Sequence, residues 1–308
     1  MPNLAMINIR LLKITAFFLL VISAKQVYCT FPLSYDKLPG ADDPQRSKVC
    51  IGLCLGVTSY FGDINNNSLD APFYRRYGAQ IIMERGVFKS IRLSAGFFSG
   101  NILGEEWTTQ RNLNFKTSIL APQLGISCKF LNLFHKRFAT YVFVGMEGIF
   151  FSPSGDLKNS KGETYYYWDD GSIRNLPENL INQNSAAIID RDYIYETNYR
   201  NLNLDNVSIY PKSAIGIPFG LSAEANLNNG FTLRAGAVFH YTFTDYIDNI
   251  TVNSVGSRKG NAATDKFLFT YIGVFYNLPV PTKKHAPIIS CGFLKSKTKH
   301  KKPTTPKF

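Results

Sequence analysis

The sequence has no apolar run of the roughly 20 residues that a membrane-spanning helix needs, which excludes a polytopic helical membrane protein. Charged residues are scarce at 18%, whereas aromatic residues reach 14%, and this balance excludes a wholly disordered chain. The five cysteines have no metal-ligand spacing, and Cys50 and Cys54 would lie roughly 13 Å apart along a strand, beyond disulfide reach. We therefore expect no disulfide framework, no metal and no cofactor.

Acidic residues are absent from both ends of the chain. Residues 1–29 contain three basic residues and residues 279–308 contain eight lysines, so the body between them is nearly neutral although the net charge is +12. A nucleic-acid-binding domain usually carries its basic residues on the folded body, so nucleic acid is not an expected partner. The Lys- and Pro-rich segment 280–308 is predicted to be a disordered periplasmic tail. Its candidate contacts with lipid phosphates, cell-wall acids or an acidic partner are Lys283, Lys284, Lys295 and Lys297.

Residues 1–29 are typical of a secretory signal peptide. Two basic residues precede an apolar run at 14–24, which is 11 residues long and too short to span a bilayer. Cleavage after Ala24 and cleavage near Cys29 are both compatible with the sequence. Ordinary cleavage is favoured over lipidation of Cys29, because the two residues before that cysteine are large. The chain is therefore expected to leave the cytoplasm.

Strict alternation of apolar with small or polar residues is the main structural signal. In Phe231–Phe243 the odd positions are apolar, whereas the even positions include Thr232, Arg234 and His240. A soluble sandwich would turn its apolar face inward, but here the other face carries glycines and charges, which suits a filled lumen inside a lipid-facing wall. We predict an all-β fold, an eight-stranded antiparallel transmembrane β-barrel spanning 48–279. The strands are predicted near 49–61, 73–85, 89–101, 113–131, 137–151, 212–226, 231–243 and 265–279.

The fourth predicted strand contains a change of phase near Pro122. Before the proline, Phe115, Thr117 and Ile119 are predicted to face outward, and after it the even-numbered residues of Leu124–Phe130 take that role. A β-bulge at the proline would accommodate the change.

The predicted connections between strands fall into two length classes. Those at 86–88, 132–136 and 227–230 are short, and the last contains the Asn-Gly hairpin signature. The other four are long and polar, and they include an inserted loop at 152–211. Short turns on one rim and long loops on the other are the pattern of outer-membrane barrels whose turns lie in the periplasm. We expect an integral outer-membrane protein in contact with outer-membrane lipid, with both termini in the periplasm.

Charged residues at lumen-facing positions predict ion pairs near the short turns. Glu84 and Arg92 flank the first short turn, and Glu224 and Arg234 flank the third in the same relation, so we expect two cross-strand pairs. Glu147 lies alone in the fifth strand, where an unpaired ion would be costly. Its expected partner is Arg76, Arg92 or a tyrosine hydroxyl. A structural role is favoured for all of these residues.

The inserted loop 152–211 is rich in aromatic residues. Loops of this length are usually functional or disordered, and Tyr and Trp commonly anchor protein interfaces. An aromatic hairpin that caps the barrel mouth is an equally weighted alternative. The candidate partner contacts in this loop are Tyr165, Tyr166, Tyr167 and Trp168.

Five stretches taken together resemble a known family. They are Thr58–Asn65 (TSYFGDIN), Arg111–Leu120 (RNLNFKTSIL), Tyr141–Pro153 (YVFVGMEGIFFSP), Ala214–Glu224 (AIGIPFGLSAE) and Phe243–Ile250 (FTDYIDNI). In this order they resemble the outer-membrane barrel family of Bacteroidota that includes the type IX secretion component PorG, over roughly 48–279. The resemblance implies an integral barrel that ties a periplasmic ring of secretion proteins to the outer membrane, and it implies no catalytic residues.

Three functions follow as hypotheses. The favoured one is a non-enzymatic anchoring and interaction component of a type IX secretion or gliding machine, with periplasmic ring proteins as partners. The alternative is a small adhesin or ligand-binding barrel built around the loop 152–211. An outer-membrane hydrolase is disfavoured: His240 with Asp245 nearby could activate water, but no nucleophile motif and no paired carboxylates accompany them.

Overall fold

The computed structural model describes residues 49–64, 76–88, 90–108, 111–133, 138–205, 210–227 and 230–278. The predicted signal peptide 1–29 and the predicted tail 280–308, including Lys283, Lys284, Lys295 and Lys297, lie outside these residues. In the described part of the chain, no helix has the length and apolar character needed to cross a membrane.

Strands account for almost all of the regular structure. In chain order they are β1 (Val49–Phe61), β2 (Tyr77–Phe88), β3 (Ile91–Trp107), β4 (Asn112–Leu133), β5 (Phe138–Gly155), β6 (Tyr166–Tyr167), β7 (Ile173–Arg174), β8 (Thr197–Asn198), β9 (Ser213–Asn226), β10 (Phe231–Thr242) and β11 (Lys266–Asn277). A short helix, α1 (Tyr199–Leu202), follows β8, and a 3-10 turn covers Gly256–Arg258.

Eight of these strands form one closed antiparallel barrel. The pairing order is β4-β3-β2-β1-β11-β10-β9-β5, and β5 also pairs with β4, which closes the sheet. The predicted eight-stranded antiparallel barrel is therefore confirmed. Closure leaves no unpaired edge, which is the condition for a sheet to lie in hydrocarbon.

The outward face of the barrel is apolar and exposed. Leu124 and Met146, cross-strand neighbours on β4 and β5, are each 68% exposed. Aromatic residues are exposed near both ends of this surface, including Phe88, Phe138 and Tyr276 on the side of the short turns. An apolar wall with aromatic ends is the lipid-facing surface of a membrane barrel. Further exposed apolar residues of this wall are Ile51, Leu53, Ile81, Met83, Leu93, Ile126, Val144, Leu221, Leu233, Ile272 and Val274.

The predicted change of phase in β4 is wrong. Phe115 and Thr117 are 0% exposed and Ile119 is 2% exposed, so all three face the interior. The pairing of β3 with β4 runs through Pro122 without a shift, and the irregularity lies at Lys129–Leu131 instead. Around Phe115–Ile119 the interior of the barrel is itself apolar, so hydrophobicity alone could not identify the outward face of β4 there.

The predicted length of one connection is also wrong. Because β3 and β4 extend further than predicted, residues 108–111 alone join them, and the Thr108 and Arg111 backbones are hydrogen bonded. Long connections follow β1, β5 and β10. We call the end of the barrel with the connections 89–90, 134–137 and 227–230 the short-turn rim, and the other end the long-loop rim.

Two loops pack against opposite faces of the extended β3–β5 wall at the long-loop rim. The mouth loop, residues 243–265, lies on the inner face, where Thr117 donates a hydrogen bond to the Ile247 carbonyl at 2.5 Å. The side layer, residues 156–198, lies on the outer face, where Tyr195 donates to the Glu105 carboxylate at 2.6 Å. Among the described residues, the mouth is filled by residues 243–265 together with Tyr210 of the inserted loop, which stacks on Tyr246 and donates a hydrogen bond to Asn249. The aromatic hairpin of that loop, β6–β7, lies in the side layer.

Candidate functional site

An ion network crosses the lumen near the short-turn rim. Arg92 lies 3.2 Å from Glu84 and 2.8 Å from Glu224, and Arg234 lies 2.6 Å from Glu84 and in contact with Glu224. Each arginine thus bridges both carboxylates, because closure of the barrel brings the two predicted hairpins face to face. The Arg92 guanidinium also donates to the Tyr141 hydroxyl at 2.5 Å.

Burial differs sharply between the two arginines of this network. The Arg234 side chain is 5% exposed and lies with its guanidinium carbon 3.7 Å from the centre of the Phe275 ring. The Arg92 side chain is 28% exposed and faces the short-turn rim. Arg234 therefore contacts the two buried carboxylates within the lumen, while Arg92 lies between them and the solvent at the short-turn rim.

Glu147 has a partner that the sequence interpretation missed. His240 Nδ1 lies 2.8 Å from Glu147 Oε2 and 2.9 Å from Oε1, and both side chains are fully buried. The prediction of Arg76, Arg92 or a tyrosine as the partner is therefore wrong. The sequence places His240 close to Asp245, but β10 turns the imidazole into the barrel whereas Asp245 follows the end of that strand. The contact between His240 and Glu147 could not be predicted without knowing how the strands are aligned with one another.

An aromatic layer packs against this pair and closes the lumen. The His240 ring stacks on Phe267 with centroids 4.2 Å apart, and Phe98 lies 4.9 Å from Phe269 by the same measure. All three phenylalanines are 0% exposed. The interior between the two rims is thus packed with side chains, as expected for a barrel of eight strands. A small cavity of about 20 Å³, lined by Gln80 and Gln123 among others, lies in the lumen next to this layer.

Buried carboxylates hold the mouth loop in place. The Tyr60 hydroxyl lies 2.7 Å from Asp248 Oδ2 and contacts Asp265 Oδ1, while the other carboxylate oxygens accept hydrogen bonds from the Ile250 and Ile247 backbones. A hydroxyl has one hydrogen, so it satisfies both carboxyl groups only when one of them is protonated and donates in turn. In the described chain, no three His, Cys, Asp or Glu side chains are arranged to hold a metal ion.

The titration of this cluster predicts a pH-dependent mouth loop. Burial, reinforced by neighbouring carboxylates, raises the pKa of Asp265 to about 7 and the pKa of Asp248 well above its ordinary value. Unfolded Asp titrates near 3.9, so the folded loop binds more protons between pH ~4 and ~7, and its stability falls as the pH rises through that window. We expect the amides of Ile247 and Ile250 to exchange hydrogen faster at pH 8 than at pH 5, after correction for intrinsic exchange.

Asp248→Asn provides the matched test of this pH dependence. The amide cannot ionise, so the difference in protection between pH 5 and pH 8 should shrink, whereas Asp169→Asn on the exposed surface of the side layer should leave it unchanged. Equal or greater protection at pH 8 in the unmodified protein would contradict the expected direction.

Arg191 links the side layer internally and to β3 through two ion pairs. Arg191, 6% exposed as a side chain, lies 2.6 Å from Asp156 and 3.1 Å from Glu105. Tyr165 and Trp168 are each 7% exposed, so their rings pack within the layer, whereas Tyr166 and Tyr167 are half-buried. The exposed apolar residues of the layer lie elsewhere along the chain: Leu180 and Ile181 are each 87% exposed and Ile188 is 69% exposed.

A polar vestibule of about 320 Å³ opens at the short-turn rim. Arg92, Lys129, Tyr141 and Asn226 line it, so its floor is the exposed side of the ion network. The first and last described residues meet at the same rim, where the Leu278 backbone donates to the Val49 carbonyl at 2.8 Å. The barrel strand β1 therefore begins, and β11 ends, beside this vestibule.

Comparisons with known proteins yield matches among solved structures. No family model and no curated protein matches the chain. The chain is similar to Ail, the attachment invasion locus protein of Yersinia pestis (7% identity, 76% of this chain, 99% of that chain, TM-score 0.38). It is similar to the outer membrane protein OprG of Pseudomonas aeruginosa (10%, 77%, 98%, TM-score 0.37). It is also similar to a major outer membrane protein of Thermus thermophilus (11%, 75%, 99%, TM-score 0.39).

These similarities carry no conclusion about activity, ligand or partner at such identities and TM-scores. None of them links the chain to the Bacteroidota secretion family that the five stretches resemble. Membership of that family therefore stays a proposal.

Proposed function

We propose that the chain is a closed, non-enzymatic outer-membrane barrel that acts as an anchoring and interaction component. The observation that carries the proposal is the contrast between its filled lumen and its outer surfaces. The ion network, the His240–Glu147 pair and the aromatic layer occupy the interior, whereas the wall is apolar and both rims carry polar surfaces. A barrel filled in this way suits attachment rather than transport through its own lumen.

The machine that we propose is a type IX secretion or gliding apparatus. The resemblance of the five stretches between Thr58 and Ile250 supports this choice. In this proposal the short-turn rim lies in the periplasm, with the vestibule and both chain ends directed towards periplasmic ring proteins. The predicted tail 280–308 would follow β11 at that rim and add a lysine-rich contact for an acidic surface.

Truncation after Leu278 tests this proposal in the native organism. We expect cross-linking from the short-turn rim to recover periplasmic ring proteins with the full chain, and recovery and secretion to fall severalfold without the tail. Recovery of no ring proteins, together with intact secretion after deletion of the whole chain, would overturn the secretion role. The membrane location is tested separately by flotation in a density gradient. The full chain should float with membranes and should resist extraction by salt.

A surface adhesin or ligand-binding barrel is the second candidate. The apolar residues Leu180, Ile181 and Ile188 favour it, because they are exposed on an ordered layer rather than buried within it. Gly155 pairs with Thr197, so residues 157–196 can be replaced by a short Gly-Asn turn without stretching the chain. Secretion should survive this replacement if the layer binds only outside the cell. Loss of attachment with normal secretion would favour the adhesin.

A further inference from the structure

A groove interrupts the outward wall of the barrel on β1–β4. Its volume is about 540 Å³. Small side chains form its floor, and large side chains between 41% and 60% exposed stand at its edges. The strand registers assemble it, because Leu55 pairs with Ala79, Ala79 with Ser99, and Ser99 with Leu120. The side chains that line it are Leu55, Tyr77, Ala79, Ser99, Ser118 and Leu120.

The surroundings of the groove limit what can fill it. The inference rests on the proposed function, in which this wall faces membrane hydrocarbon. Water has no partners there, and an empty groove would forfeit the dispersion contacts of its lining atoms. A flexible acyl chain can follow the path across the strands from Leu55 to Leu120. Because the groove is open towards the membrane, the acyl chain can enter it without passing into the barrel.

The end of the groove that points towards the long-loop rim is polar and positively charged. Ser118 donates a hydrogen bond to the Asn101 side chain at 2.9 Å, although both residues face outward. Lys116 is the next outward residue of β4 towards the long-loop rim, and its ammonium lies 6.0 Å from the centre of the Tyr195 ring in the side layer. Glu105, which faces outward on the neighbouring strand, is bound by Arg191 and by Tyr195. A cation in this position complements a lipid phosphate at the level of the headgroups.

The side layer extends this surface above the groove. Ile194, next to Tyr195 in the chain, is 55% exposed, and Tyr195 is fixed through its hydrogen bond to Glu105. Lys116, between this layer and the apolar groove, gives the order of chemistries found along a membrane lipid, from phosphate to acyl chain.

We propose that the groove on β1–β4 binds one phosphate-bearing acyl lipid, with an acyl chain across Ala79 and Ser99 and its phosphate at Lys116. The recognised chemistry is the phosphate and the chain. A phosphorylated glycolipid carries both, and in the proposed orientation the long-loop rim, with Lys116, lies at the outer leaflet. The site thus holds a specific lipid against the part of the wall that supports the side layer.

Native mass spectrometry of the full chain in detergent, with added phosphatidylglycerol, tests the proposal. The unmodified protein should retain one lipid, and Ala79→Leu/Ser99→Leu, which fills the groove, should reduce retention about tenfold, the equivalent of losing about two buried methylene groups. Lys116→Gln should reduce it severalfold. The matched controls make similar changes at outward positions on the opposite wall of the barrel and should leave lipid retention unchanged. They are Ala223→Leu/Ala235→Leu and Lys266→Gln.

The source of the lipid is distinguished by competition. Purified lipid A should displace phosphatidylglycerol from the unmodified protein, and failure to displace it would overturn the assignment of the site to a phosphorylated glycolipid. Equal lipid retention by the unmodified and groove-filled proteins would overturn the inference. A dimer that disappears on filling the groove would overturn it as well, in favour of contact between two copies. Flotation with liposomes is measured first, because a protein that stays in solution would refute the membrane location itself.

Discussion

Replacing Arg234 by methionine is expected to destabilise the barrel by roughly 3–5 kcal/mol, the usual cost of removing one member of a buried ion network. Arg234 is 4% exposed and contacts both Glu84 and Glu224, which are 2% and 3% exposed. Methionine fills much of the same volume but leaves two buried carboxylates to share Arg92. The free energy of unfolding can be measured by urea titration in lipid vesicles.

The companion variants separate a charge effect from a packing effect. Glu84→Gln added to Arg234→Met should recover part of the loss, because one fewer buried charge then lacks a partner. Arg92→Gln should cost less than Arg234→Met, since the Arg92 side chain is 28% exposed and water replaces part of its contacts. Arg85→Gln, an exposed change next to Glu84 in the chain, should stay within about 0.5 kcal/mol. An Arg234→Met protein as stable as Arg85→Gln would show that the network contributes nothing to folding.

Leu124→Arg is expected to destabilise the protein in a bilayer by about 2–4 kcal/mol, the penalty for a cation in the middle of a lipid-facing wall. Leu124 is 68% exposed and lies between Met146 and Ala95 on the neighbouring strands. In a soluble protein the same change at so exposed a position would be nearly neutral, because the guanidinium would be hydrated. The measurement therefore tests the lipid-facing wall directly.

Leu227→Arg is the matched control for this prediction. Leu227 is 53% exposed in the last connection of the short-turn rim, and its backbone donates to the Phe231 carbonyl. The same chemical change there should cost about 0–1 kcal/mol, as expected near the membrane interface. Equal effects at the two positions would indicate that the wall around Leu124 does not contact hydrocarbon.

The inward and outward positions of most strands could be predicted from the sequence, because alternation in a strand is a local property of the backbone. In β10, Leu233 is exposed and Arg234 is buried, as the alternation predicts. The same reasoning failed in β4, where Phe115 and Ile119 are buried. Local alternation cannot distinguish lipid from an apolar interior, since both accept the same side chains.

The sequence by itself determined the number of barrel strands, most of the outward rows and the hairpins that bring Glu84 near Arg92 and Glu224 near Arg234. Only the tertiary structure decided that the two hairpins form one network, that Glu147 meets His240, and that Tyr60 meets Asp248 and Asp265. These contacts join residues that lie between 93 and 205 positions apart in the sequence. The physical reason is that they depend on closure and on the stagger of all eight strands, which no single segment of the chain specifies.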